Sequence, residues 1–114
     1  MRPKIQHVEF GNIVIDGVAF SDKDFFITNN NVEAVEKSHN IGIKDFEQLL
    51  LREPHIVIIS TGFGNMVKID AKIHEYAKKS KVELYTLPTP DAIKKYEELS
   101  KLGKNVIARI HVTC

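Results

Sequence analysis

Along the first third of the chain, apolar positions recur with a period close to two. Ile5, Val8 and Phe10 sit among Gln6, His7 and Glu9, the pattern of a strand with one face turned to a core. After Gly11-Asn12, the runs Ile13-Val14-Ile15 and Val18-Ala19-Phe20 flank Asp16-Gly17. Aspartate followed by glycine tolerates the positive φ angles of a two-residue hairpin turn, so a β-hairpin is expected here. Phe25-Phe26-Ile27 reads as a further short strand, with Asn29-Asn30-Asn31 as the turn after it. Residues 32–41 fit either a strand edge or a broken helical turn.

From residue 43 the period lengthens. Ile43, Phe46, Leu49 and Leu50 form a helical stripe that ends near Glu53-Pro54. The unbroken run Ile56-Val57-Ile58-Ile59 suits a strand covered on both faces. An amphipathic helix is expected from about Asp70 to Lys79, burying Ile73, Tyr76 and Ala77, and a strand from Val82 to Thr86. Thr89-Pro90-Asp91 reads as a helix start, with Thr89 as the capping hydroxyl and Gly103 beyond the far end. Val106 to Ile110 is a further strand. Strands joined through helices favour a parallel pair at 55–60 and 82–86 with right-handed crossover. The expected fold is α/β: a mixed central sheet with flanking helices and an added N-terminal hairpin layer.

Length and composition narrow the class. With 114 residues, 43% apolar and 27% charged, the chain is expected to form one domain, 1–114, around one real core. Sixteen basic residues against fifteen acidic ones leave a net charge of +1, which gives no support for a nucleic-acid or membrane-surface partner. Nine lysines against six acids between residues 68 and 104 are a mild excess without aromatic interleaving. No apolar run approaches the ~18–20 residues of a membrane span, and none resembles a signal peptide. A cytoplasmic location is therefore expected.

The chemistry-bearing stretch is Ser60-Thr61-Gly62-Phe63-Gly64-Asn65, directly after the buried strand. In open α/β sheets ligands gather beyond the carboxyl ends of parallel strands. This loop and Thr86 to Thr89 should emerge at one such edge. Gly62 and Gly64 would let backbone N–H groups converge, Ser60, Thr61, Asn65, Thr86 and Thr89 add polar side chains, and the helix start favours an anion. These seven residues are the candidate site for a small anionic ligand, although neither the P-loop nor the dinucleotide spacing is present.

Other candidates are weaker. On an extended tail His111 and Thr113 would share one face and Val112 and Cys114 the other, a separation unsuited to a Cys–His nucleophile. The other histidines, His7, His39, His55 and His74, show no helical i, i+4 pair, so no metal and no cofactor are expected. Glu97 and Glu98 lie among Lys94, Lys95 and Lys101 and read as a solvated helix face. No catalytic constellation is complete.

The ordered combination of Ile15-Asp16-Gly17, the strand into Ser60-Thr61-Gly62, Thr89-x-x-Ala92-x-x-x-Tyr96-x-x-Leu99, Gly103 and the ending His111-x-Thr113-Cys114 resembles the adipogenesis-associated Mth-domain proteins. Relatives of that family include a mitochondrial complex I assembly factor. The resemblance implies a mixed-sheet α/β fold with an added β-layer, no established reaction, and a binding or assembly role through a protein partner or self-association. The chain departs from the family's usual pattern at Ser60 and Glu97, and it contains no tryptophan.

Overall fold

The computed structural model describes residues 2–114. Three antiparallel strands come first: β1 (Ile5–Glu9), β2 (Asn12–Ile15) and β3 (Val18–Phe20). Asp16 and Gly17 both have positive φ, 48° and 80°, the conformation of a tight hairpin turn whose twist matches its strands. The expected hairpin is thus present, and β1 extends it by pairing Val8 with Ile13.

The remaining elements are β4 (Asp24–Ile27), β5 (Val32–Val35), β6 (Asn40–Ile41), α1 (Ile43–Leu50), β7 (Ile56–Ser60), β8 (Lys68–Ile69), α2 (Lys72–Lys79), β9 (Glu83–Leu87), α3 (Thr89–Lys101) and β10 (Val106–Ile110). Five of them form the central sheet in the order β5-β4-β10-β7-β9. β7 runs parallel to both β9 and β10, while β4 is antiparallel to β10 and to β5. The ambiguous stretch 32–41 resolves into the edge strand β5 and then β6, which pairs with β8 in a small parallel ladder.

Strand alternation divides the core between the two faces of this sheet. Ile56 and Ile58 of β7, Phe25 and Ile27 of β4, and Ala108 and Ile110 of β10 pack with Tyr96 and Leu99 of α3 and with Ile13 and Ile15 of the hairpin layer. Val57 and Ile59, Phe26 and Ile107 pack on the other side with Phe46 and Leu49 of α1 and Ile73 and Ala77 of α2. The unbroken apolar run of β7 is explained by this double coverage. Tyr96 is buried, and its hydroxyl donates to the Thr28 carbonyl at 2.6 Å. Burial raises its pKa, because the phenolate would lose its hydration.

One expectation needs correction. Pro88, not Thr89, occupies the cap of α3, and no side chain among the described residues caps that helix. Thr89 lies inside the first turn, fully buried, with its hydroxyl turned away to the end of β10. Phe25 and Phe26, in the strand expected there, are both core residues. At the other end of α3, Gly103 has φ 76°, and the Gly103 and Lys104 amides donate back to Ser100 and Leu99. That is the expected left-handed helix stop.

Ile58 has no exposed surface, whereas Val18 is a largely exposed strand residue. Ile58→Ala is therefore expected to lower unfolding free energy by about 2–5 kcal/mol. Val18→Ala should stay within about 0.5 kcal/mol of the parent. Urea denaturation of the two variants against the parent measures both.

Candidate functional site

The parallel pairing of β7 with β9 brings the two predicted segments to one edge. Ser60 faces Leu87 in the ladder, the Thr61 amide donates to the Leu87 carbonyl at 2.8 Å, and the Thr89 amide donates to the Gly62 carbonyl at 3.0 Å. Thr86 lies just inside β9, half-buried opposite Ile59. Thr61 donates its hydroxyl to Asn65 Oδ1, and the Val67 amide returns to the Thr61 carbonyl. These contacts make residues 60–67 a closed turn.

The space that this turn opens is filled by the chain itself. The Phe63 amide donates to the Thr113 carbonyl at 3.1 Å, and the Gly64 amide donates to the Cys114 carbonyl oxygen. A Cβ on Gly62 would lie 2.8 Å from the Cys114 and Thr113 oxygens, and one on Gly64 would lie 2.8 Å from the Cys114 oxygen. Close backbone approach is what requires glycine at both positions, and the φ of 91° at Gly62 adds a second requirement there.

Ser60 and Thr89 continue the same grip further up the tail. Ser60 Oγ accepts the His111 amide at 2.7 Å, and Thr89 Oγ1 donates to the His111 carbonyl at 2.7 Å. The two hydroxyls are 3.2 Å apart and buried. Where β10 ends, side chains of β7 and α3 thus take over the partnering of its backbone. Buried polar groups need such partners, since an unmet one costs about 1–3 kcal/mol.

The clamp aims His111 at a buried charge cluster. Register places Arg109 opposite Phe26, so Asp24, Phe26, Arg109 and His111 share the sheet face that α1 and α2 cover. Asp24 is 1% exposed, His111 2% and Arg109 4%. Arg109 donates to Asp24 Oδ2 at 3.0 Å and to the Glu36 carbonyl at 3.2 Å, and the Ser38 amide donates to the same Oδ2 at 3.2 Å. His111 Nδ1 lies 2.9 Å from Asp24 Oδ1, an ion-pair distance without hydrogen-bond geometry, and neither atom has a hydrogen-bond partner among the described residues.

On the outer side, His111 Nε2 contacts Thr113 Oγ1 at 3.2 Å. The Cys114 thiol lies 3.1 Å from His39 Nδ1, and the rings of His39 and His111 meet edge to face at 4.9 Å. Strand alternation thus continues past Ile110 through Val112, which packs in the same core as Ala108 and Ile110, and is broken only at Cys114. Cys114 takes φ 49°, and His39, His111 and Cys114 converge with one donor atom each within 4.8 Å of the others. Sequence reasoning separated the imidazole from the thiol because it carried that alternation on to Cys114. It also missed Asp24 and Arg109. Their signal was Arg109 within a buried run and Asp24 at the matching phase of Phe25-Phe26-Ile27.

Concave surface lies elsewhere as well. A groove of about 970 Å³ runs between Arg2–Ile5 and the end of α3, and another of about 380 Å³ lies beside Asn29–Asn31 and Arg52.

Gly62→Ala is expected to cost about 1–3 kcal/mol, from backbone strain and the clash with the tail. It should also speed amide exchange at Phe63 and Gly64, read by hydrogen-exchange mass spectrometry. Asp24→Ala leaves Arg109 and His111 buried without their carboxylate, and chemical denaturation should show a loss of about 3–5 kcal/mol.

The fold has close counterparts among solved structures. The conserved hypothetical protein PH1505 from Pyrococcus horikoshii OT3 is 29% identical, with a TM-score of 0.85 over 97% of this chain and 99% of that one. A Bordetella pertussis protein described as a Mth938-like domain superposes with a TM-score of 0.73 at 14% identity, over 96% of this chain and 85% of that one. A protein from Bartonella henselae described as an outer membrane protein reaches 0.82 at 12% identity, over 99% and 97%. At those last two identities the likeness is one of fold. Among the described residues no helix is long and apolar enough to cross a membrane. A family described as protein of unknown function (DUF498/DUF598) matches residues 5–111, nearly the whole chain, and the chain belongs to that family.

Proposed function

We propose that the protein is a non-enzymatic binding module, working in the cytoplasm in the assembly of a protein complex or of its own oligomer. The contact surface is the edge where loop 60–67 grips the tail. One observation carries this reading: Phe10, 64% exposed, lies beside half-buried Phe63, and Met66, 69% exposed, lies beside Gly64 of the same loop. The Phe10 and Phe63 rings stand edge to face at 5.8 Å, and Met66 Cγ would lie 3.5 Å from a Cβ on Gly64. The three side chains thus rim the tail clamp, and exposed apolar groups gathered in this way suit protein partners.

The resemblance to Mth-domain proteins, one of them a complex I assembly factor, supports the same reading. Rigidity supports it too, because the Gly11 amide donates to the Val112 carbonyl at 2.8 Å and ties the Phe10 turn to the tail. A pre-ordered surface loses less entropy on binding. The rival reading holds a small anion at Ser60, Thr61, Gly62, Gly64, Asn65, Thr86 and Thr89. Such an anion has to displace Thr113 and Cys114 from the Phe63 and Gly64 amides, and Ser60 and Thr89 are already committed to His111.

Photo-crosslinking tests the surface. With benzoylphenylalanine in place of Phe10, a discrete crosslinked species is expected in cells, reduced at least about tenfold by Met66→Ser, as for the loss of a contact worth about 1.4 kcal/mol. The same probe at Val18, exposed at the other end of the hairpin layer, should give none. No product at position 10, or equal products at both positions, sinks the proposal.

A further inference from the structure

The geometry points to a metal site formed by His39, His111 and Cys114, fitted to a borderline-soft divalent cation of the Zn2+ class. The donor set is a thiolate and two imidazoles, the ligands such a cation prefers, with a fourth position left for water or a partner's side chain. Tetrahedral bonds of ordinary length place ligand atoms roughly 3.3–3.6 Å apart. Here the three donor atoms already lie within 4.8 Å, and His39 Nδ1 and the thiol are 3.1 Å apart. Rotation of the exposed His39 ring and the half-exposed Cys114 side chain closes the difference. Thr113 Oγ1 touches both His111 Nε2 and the thiol, at 3.2 and 3.7 Å. Nε2 is therefore on the thiol's side of the ring, and a cation takes the place of that hydroxyl contact.

The surroundings of His111 are the stronger argument. Ligating histidines commonly turn their second ring nitrogen to a carboxylate, which fixes the ring and favours the tautomer whose lone pair meets the metal. Asp24 Oδ1 lies at that side of the ring, 2.9 Å from His111 Nδ1, and both atoms are buried and have no hydrogen-bond partner among the described residues, so a small turn of the ring on binding an ion would pair them. Arg109 and the Ser38 amide hold the other carboxylate oxygen. Each ligand's backbone is also tied to a different element. Ser60 and Thr89 grip His111, the Gly64 amide grips Cys114, and the His39 carbonyl accepts the Lys68 amide at 2.9 Å. A site held this way is ordered before the ion arrives.

Cobalt(II) is the probe, because thiolate coordination gives a near-ultraviolet charge-transfer band and tetrahedral coordination gives intense visible bands. Titration of the reduced full chain is expected to saturate at a single equivalent with both features, and Zn2+ should displace the cobalt. Cys114→Ser should abolish the charge-transfer band. His39→Ala should weaken binding by at least about tenfold, the lower end of what loss of even an outer-shell partner costs. His55→Ala, at an exposed histidine elsewhere, should change nothing. Circular dichroism verifies that the variants fold, which is expected because the altered side chains are not core groups. Absence of saturable binding in the parent, an unchanged charge-transfer band in Cys114→Ser, or equal weakening by His55→Ala overturns the site.

Discussion

Asp24 sits almost wholly out of water between Arg109 and His111, and much of the architecture follows from keeping that carboxylate matched. Stripping such groups of solvent costs several kcal/mol for each ion, and the cost is recovered only when geometry supplies partners for every lone pair and proton. Arg109 and the Ser38 amide meet one oxygen, and His111 faces the other. These partners come from β10, from the tail beyond it and from the segment after β5. The pairing of β4 with β10 must therefore keep its register, because a slip of one residue would turn Asp24 into the opposite, apolar core. An apolar triplet would pack there without such a demand on register.

The tail extends that logic to the sheet edge. Beyond Ile110 the ladder ends, yet the chain stays buried through Val112. Ser60, Thr89, Phe63 and Gly64 supply the missing hydrogen bonds. Glycine at 62 and 64 is then a matter of clearance between two backbones. The same pattern that suggested a cradle for an external anion describes a cradle for the chain's own carbonyl groups. Three features meet at this edge: an apolar rim, a buried charge cluster and a triad of nitrogen and sulfur donors, the last two sharing His111.

Elements with a strong periodic signature were legible in the sequence. The Asp16-Gly17 hairpin, the α1 stripe, the double-sided β7 run, the parallel β7–β9 pair and the Gly103 helix stop all follow from local rules of spacing and turn chemistry. Thr89 shows where local rules fail. A hydroxyl before proline and aspartate has the form of a cap, but burial against β10 recruits it to His111 instead. The candidate site was legible in part, since Ser60 to Gly64 and Thr89 do meet at one edge. Asp24, Arg109 and His39 were not, because local phase can put Asp24 and Arg109 on a buried face but cannot pair residues 85 or 75 positions apart.

The central position of β10 has a consequence for how the molecule comes into being. β10 follows every other strand in sequence, yet among the described residues it alone bridges the β5–β4 hairpin and the β7–β9 pair. Without β10 these two halves share no strand pairing, and each has an edge that only β10 meets. Strand pairs of that size are marginal alone, and unpaired edges invite the wrong neighbour. The sheet closes only when residues 106–110 slot between the halves, and the same event buries Arg109 against Asp24. Completion of the hydrophobic sheet and the pairing of its buried carboxylate thus depend on the same strand.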